Sequence, residues 1–541
     1  MPKVNLTFKR VDYYLLSLLA VLLLYLVFSY VTLGYAILHS DSGRDYLIAQ
    51  HIVKFGEIPL TGPVNSLVVS IKNSPVYFYL LAFFISILDD PNFISAVNIL
   101  AQLISIVLVY FLGKLMFGKW VGLASSVMYA FSPMVLDNSI TFWQPSIMNP
   151  FINLSLLLLA IAYFKEKSRL VPLSVAVFIL ATALHPSPLA LIPAFAAASV
   201  ITLRKLNRPQ REIIHLLNVA VLTAVILFLP VAVSKVASGT NLLYVNLGGK
   251  FIRSASELVS SLSTNMETLM AGMIDFRDRV PDATIGLAFG LALLLCLLFL
   301  TRKGLSNSKE AWLILFIFFS AVSFIVIASF TTIRLRIDHF LPILSLIFIL
   351  MAALFNLLIQ DRVILKILSI VVIAGLVNIP NRTQVVIAQD LTPRYLQEKS
   401  AVDEIVNYME KEISNIQAAV GYSQPNFFRI ANYKIYKGNS ITPVYDSPYI
   451  VRLEKSLNHK LVTINDFTNL GYSSINSSDY VFVICQSMGV EADDDKCIAD
   501  FIKGIASNSI LPDQAKSNFS YSTPVKIHSN KLLSLYQSKK L

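Results

Sequence analysis

The chain has 541 residues, of which 55% are hydrophobic and only 14% charged, and its mean hydropathy is +0.65. That balance excludes a soluble globule and reads as a polytopic, all-α membrane protein. The net charge of +11 is not a nucleic-acid footprint, because the basic residues sit in short clusters between apolar runs, where they act as topology signals.

Lys3, Lys9 and Arg10 precede the first apolar stretch, Tyr13 to Leu38, which places the N-terminus in the cytoplasm by the positive-inside rule. The stretch is too long for a signal-peptide core and lacks a small-residue cleavage site, so it reads as a retained anchor. It opens onto a first external loop, 39–92, carrying Asp41, Arg44, Asp45, Glu57 and Lys72. Within that loop the apolar segment Val76 to Leu88 is too short to cross about 30 Å of hydrocarbon. It is expected to be a juxtamembrane or re-entrant helix on the outer side.

Placing the basic clusters around Lys114/Lys119, Lys165 to Arg169, Arg204 to Arg211, Arg302 to Lys309 and Arg362/Lys366 in the cytoplasm lets the remaining apolar runs alternate. The spans then fall at about 93–113, 120–136, 148–164, 170–185, 187–203, 212–234, 283–300, 311–330, 339–358 and 363–380, roughly eleven with the anchor. A second external loop, 239–282, holds Leu258, Val259, Leu262, Met266, Leu269, Met270 and Met273 at three- and four-residue spacing. That stripe predicts an amphipathic helix, either lying in the outer interface or packed on an external domain.

Residues 1–380 therefore read as a transmembrane domain, and 381–541 as a small extracytoplasmic α/β domain. The latter combines a helix over 394–416 with β-rich runs such as Tyr480 to Ile484. Cys485 and Cys497 could pair if this tail is outside the cell. It carries no metal-ligand spacing and no glycine-rich phosphate loop.

In this topology polar residues gather at helix ends on one side of the membrane: Asp41, Arg44, Asp45 and Lys72; then Asp137, Asn138 and Phe142 to Pro145; then His185; then Arg334, Arg336, Asp338 and His339. Each has a structural alternative. Asp41 or Asp45 can cap a helix, His185 can be a packing residue, Trp143 can belong to the interfacial aromatic belt, and Arg334 and Arg336 can be interfacial anchors. Together they say more, since positive-inside statistics predict few external arginines and this chain puts three there beside acids. Arginine forks that hold a phosphate, with a carboxylate able to take a proton, are what transfer from a phosphorylated lipid requires.

An acidic first-loop motif, a Ser132-Pro133 turn before Trp143-Gln144-Pro145, Leu184-His185 closing a span, and the run Arg334 to Pro342 resemble the polytopic lipid-sugar-dependent glycosyltransferases of the GT-C superfamily. These include the protein O-mannosyltransferases, the aminoarabinose transferase of lipid A and bacterial family 39-like enzymes. The resemblance covers about residues 10 to 380. It implies a membrane glycosyltransferase of the plasma membrane that takes a sugar from a polyprenyl-phosphate donor and passes it to a lipid, glycan or protein acceptor on the extracytoplasmic side. The catalytic carboxylate of the family falls on Asp41, but the second acid stands at Asp45 rather than directly after it, so either can be the base. Arg44, Lys72, Trp143, His185, Arg334, Arg336 and His339 are the candidates for binding the substrate or its phosphate. A divalent metal is a candidate cofactor at the histidines. The competing class is a transporter or flippase of lipid-linked sugars, which binds at the bilayer midplane through broken helices in repeats. This chain keeps its ionisable groups at one face and has no evident repeat.

Overall fold

The computed structural model describes residues 12–33, 45–46, 48–50, 52–53, 56, 58–62, 73–140, 142–206, 210–237, 254–273, 309–330, 337–359 and six strands between 418 and 539. By contact density the chain separates into two units. One comprises Met1–Ala36, Leu60–Tyr77 and Asn92–Val385, and the other Ile37–Pro59, Phe78–Pro91 and Val386–Leu541.

The first unit is helical. Its α1 (Tyr13–Leu33) lies in the expected anchor, and α2 (Val76–Ile87), which runs on from it into the second unit, has the short length read from the sequence. Then come α3 (Pro91–Phe117), α4 (Lys119–Ala130), α5 (Pro133–Ile140), α6 (Gln144–Phe164), α7 (Leu170–Leu184), α8 (Ile192–Lys205) and α9 (Gln210–Ala237). They are followed by α10 (Ala255–Met273), α11 (Lys309–Ser329) and α12 (Leu341–Ile359), with single 3-10 turns at Ser187–Leu191 and Ile337–Phe340. Among the described residues, the stretches Asn92–Phe117, Gln144–Phe164, Ser187–Lys205 and Glu212–Ser234 are long and apolar enough to cross a membrane, and shorter apolar helices accompany them. The expected spans at 283–300 and 363–380 lie outside the described residues.

The expected span at 120–136 is corrected: it is two helices with a break at Phe131-Ser132. Ser132 ends one helix and starts the next. Its Oγ donates to the Tyr129 carbonyl (3.1 Å) and accepts the Val135 N–H (3.3 Å), while Pro133 takes the first helical position, where a missing N–H costs nothing. Hydropathy runs on smoothly through the break, so the apolar pattern alone hid it.

Two close backbone approaches set the α3–α4 corner. A Cβ on Gly122 would stand 2.5 Å from the Tyr110 carbonyl oxygen, and one on Gly113 would stand 3.0 Å from Gly122 Cα. Gly118, between the helices, has φ +99°, a conformation that costs glycine little.

Across the core runs a ladder of buried amides. From α3, Asn98 Nδ2 donates to the Asn138 (2.5 Å) and Ser139 (3.1 Å) carbonyls at the end of α5, and Gln102 Nε2 donates to the Ser146 carbonyl (2.8 Å). Asn149 Nδ2 donates back to Gln102 Oε1 (3.1 Å), and Ser146 Oγ donates to Asn138 Oδ1 (3.2 Å). Asn98 thus takes up carbonyls that the end of a short helix leaves without an intrahelical partner, and Gln102 takes up the Ser146 carbonyl, whose partner four residues on is Pro150 and has no N–H. They thereby pin the loop that carries Trp143.

The amphipathic helix read in 239–282 is α10. It packs against α11 and the 337–340 turn, and its buried side chains among the described residues are Asn265, whose Nδ2 donates to Ser329 Oγ (2.9 Å), and Thr268. Val259, on the apolar stripe, is exposed.

In the second unit the described part of the tail is a six-stranded mixed sheet: β1 (Ala418–Gln424), β2 (Phe427–Lys434), β3 (Lys460–Ile464), β4 (Tyr480–Gln486), β5 (Val525–Ser529) and β6 (Leu533–Lys539), in the order β3-β2-β1-β4-β6-β5. Only β1 and β4 pair in parallel, with Val420 opposite Phe482. The helix expected over 394–416 and the partner Cys497 fall outside the described residues.

Candidate functional site

In the first unit, the helix ends that the sequence places on one side converge. His185 is the C-cap of α7, in an extended conformation (φ −152°, ψ 141°) that ends the helix ahead of Pro186. This turns its ring inward, where it is buried. Ser187 fixes the ring: its backbone N–H donates to His185 Nδ1 (3.3 Å), and its Oγ lies 2.9 Å from the same nitrogen. Nδ1 is thus an acceptor, and the neutral ring carries its proton on Nε2. The Ser187 hydroxyl also meets Met148 Sδ on α6 at 3.6 Å.

The ring of His339, half-buried on the 337–340 turn, stands 5.5 Å from that of His185, tilted by 57°. Burial holds the His185 imidazole well below the ordinary histidine range, and the facing His339 adds to the effect. His185 is therefore a neutral hydrogen-bond donor at physiological pH, suited to a phosphate or sugar oxygen.

Trp143 is the extended N-cap residue of α6, buried beside Phe142. Its carbonyl receives the Ser146 N–H (3.0 Å). The 337–340 turn packs on α5, α6 and α10, and the 187–191 turn packs on α7, α11 and α12. Trp143, His185 and His339 thus belong to one gathering of helix ends.

In the second unit, Asp45 lies in helical backbone and is fully buried. The next residue, Tyr46, donates its hydroxyl to Asp89 Oδ1, and Gln50 Nε2 donates to Asp89 Oδ2 (2.8 Å). Burial, reinforced by the Asp89 carboxylate, raises the Tyr46 phenol well above its ordinary value, so it stays a donor. Asp89 is a residue that the sequence reading missed. Its signal was there in Asp89-Asp90-Pro91, two adjacent acids between an apolar helix and a proline that opens the next one. Tyr46 and Gln50 are four apart, on one face of a helix, so one carboxylate clamps the face next to Asp45.

Of the other candidates, Asp41, Arg44, Lys72, Arg334 and Arg336 lie outside the described residues. Among the described residues no group of three or more His, Cys, Asp or Glu side chains is arranged to hold a metal ion. In the tautomer that Ser187 imposes, His185 has no nitrogen lone pair left for a metal.

The crystal structure of ArnT from Cupriavidus metallidurans bound to undecaprenyl phosphate superimposes with a TM-score of 0.59, covering 96% of this chain and 97% of that one, at 12% identity. The chain has the fold of ArnT. The apo structure of ArnT matches equally, with a TM-score of 0.58 over 97% of this chain and 98% of that one, at 11% identity. Residues 72–233 also match the family model described as dolichyl-phosphate-mannose-protein mannosyltransferase. No curated protein matches the chain significantly in sequence. The resemblance to GT-C glycosyltransferases, carried in the sequence by short motifs, is thus carried as well by the ArnT fold over nearly the whole chain and by a family match across α2 to α9.

Proposed function

We propose that this protein is a membrane glycosyltransferase that moves a sugar from a polyprenyl-phosphate donor to a lipid, glycan or protein acceptor at the extracytoplasmic face of the plasma membrane. The observation that carries the reading is the match of 96% of the chain to ArnT, a protein crystallised with undecaprenyl phosphate. The family match over 72–233 supports the same chemistry.

In this reading an acceptor hydroxyl oxygen attacks the anomeric carbon of the sugar from the face opposite the phosphate. The new C–O bond forms as the bond to the phosphate oxygen breaks, with inversion and an oxocarbenium-like transition state. Asp45 or Asp41 takes the acceptor proton. The bond pair leaves on the phosphate, where Arg44, Lys72, Arg334 and Arg336 are candidates to balance the growing charge. His185, neutral with its proton on Nε2, donates to a phosphate oxygen, and His339 stands beside it. Trp143 gives the sugar or isoprenoid an apolar wall.

The experiment is transfer by the purified chain in detergent, from a radiolabelled polyprenyl-phosphate sugar to an envelope extract. Label moving from the lipid to an acceptor supports the reading. If the solubilised protein leaves the donor intact while vesicles containing it redistribute the donor between leaflets, the protein is a transporter instead.

A further inference from the structure

At the far end of α6 from Trp143, about 30 Å away by helical rise, lies a cleft of about 540 Å³. It falls within the range of small-molecule sites, about 300–1,000 Å³. The C-terminal ends of α3, α6 and α8 and the N-terminal part of α11 form it, with Leu112, Met116, Leu159, Phe316 and Ile317 in its walls. Apart from Tyr163 and Thr202, the lining side chains are apolar. Ile201 and Phe319 on its lining are more than half exposed, so the cleft opens sideways, where a bilayer would meet it.

A cation stands at its wall. Lys205 Nζ donates to the Tyr163 carbonyl (3.0 Å) and lies 3.8 Å from the centroid of the Tyr163 ring, and Tyr163 is itself part of the lining. Among the described residues no carboxylate comes within ion-pair distance of Lys205. Lys119, by contrast, is neutralised by Asp12 at 2.7 Å. Arg204, Lys165 and Lys167 stand exposed at the same helix ends. The arrangement is therefore an apolar slot beside an ammonium group with no carboxylate partner among the described residues, at the level where helices leave the membrane.

We propose that this cleft is a binding site for an anionic phospholipid of the leaflet on the Lys205 side, with an acyl chain between α6, α8 and α11 and the headgroup phosphate on Lys205. The chain supplies apolar burial, and the lysine supplies the preference for negative charge, worth about fivefold for one basic residue near a charged headgroup. The occupant is distinct from the proposed sugar donor, whose phosphate belongs at the opposite end of α6.

Native mass spectrometry of the purified full chain, titrated with dioleoyl phosphatidylglycerol or dioleoyl phosphatidylcholine, tests this. The wild type is expected to hold the phosphatidylglycerol several-fold more tightly. Lys205→Gln, at an exposed position, should lower that affinity about fivefold and leave phosphatidylcholine unchanged. Ala198→Phe, or Ala160→Leu if the first misfolds, fills the cleft and should weaken both. Equal binding of the two lipids by the wild type, or undiminished phosphatidylglycerol binding by a folded cleft-filling variant, overturns the proposal. So does one-for-one displacement by polyprenyl phosphate, which would assign the cleft to the donor tail. The readout is lipid retention rather than sugar transfer, so a failure of the transfer assay leaves it standing.

Discussion

His185 and His339 come from turns far apart in the chain, yet their rings stand 5.5 Å apart and tilted, and only His185 is buried. The pair joins the end of α7 to the turn that opens α12. Because Ser187 occupies Nδ1 of His185, only Nε2 is left to donate outward.

The fold holds His185 neutral, since burial and the facing His339 both lower its pKa. Its folded pKa is below its unfolded value, near 6.5. The unfolded chain then binds a proton that the folded chain refuses, so this contribution to stability is present above about pH 6.5 and is lost progressively as pH falls through the lower folded value. Thermal unfolding in detergent between pH 4.5 and 8 should show a wild-type Tm that drops on the acid side more steeply than that of His185→Gln. Parallel curves would contradict the assignment. His185→Ala should also slow transfer about tenfold or more, the worth of one hydrogen bond to a charged group.

Asp89→Ala should disturb the helical segment that carries Asp45. It leaves the buried Tyr46 hydroxyl and the Gln50 amide without the acceptor they share, at a cost of about 1–3 kcal/mol for each stranded group. Tyr46→Phe removes donor and desolvation together and should be milder, about 1 kcal/mol. Thermal unfolding, with transfer turnover alongside, separates the two, and an Asp89→Ala protein as stable as Tyr46→Phe would refute the clamp.

Most of the apolar helices among the described residues, and the amphipathic 255–273 helix, were legible in the sequence because hydropathy and three-to-four spacing are local properties. The Ser132-Pro133 turn was legible as a motif, but not that it divides the 120–136 run, since the residues on both sides are equally apolar and the cap hydrogen bonds of Ser132 make the break. At the site, Trp143, His185 and His339 could be named as polar or aromatic residues at helix ends, but their meeting depends on long-range packing that no local pattern encodes. Asp89 was overlooked because an acid before a proline reads as a helix start, and its hydrogen bonds to Tyr46 and Gln50 reach back across a loop. In α10 the apolar stripe drew attention away from Asn265 and Thr268, two polar side chains that are buried.

Gly122→Ala should loosen the α3–α4 corner. The new methyl would meet the Tyr110 carbonyl oxygen at 2.5 Å and Lys114 N at 2.9 Å, both backbone atoms that cannot rotate away. An overpacking cost of about 1–3 kcal/mol follows, readable as a lowered Tm of the purified protein. Gly118→Ala strains the backbone through its φ of +99° without a steric clash and should cost about 1–3 kcal/mol.

Asn98→Leu should release the end of α5, leaving the Asn138 and Ser139 carbonyls without the amide that reaches them. Hydrogen exchange across residues 134–148 is expected to rise while exchange in α9 stays unchanged. Uniform protection in both would show that the amide ladder does not pin the Trp143 loop.

The most direct test of the central claim compares Asp41→Asn and Asp45→Asn for transfer from a radiolabelled polyprenyl-phosphate sugar in membranes. At least one variant should lose a hundredfold or more in turnover, the approximate worth of a positioned general base, while still binding the donor. Near-normal turnover in both would contradict the account.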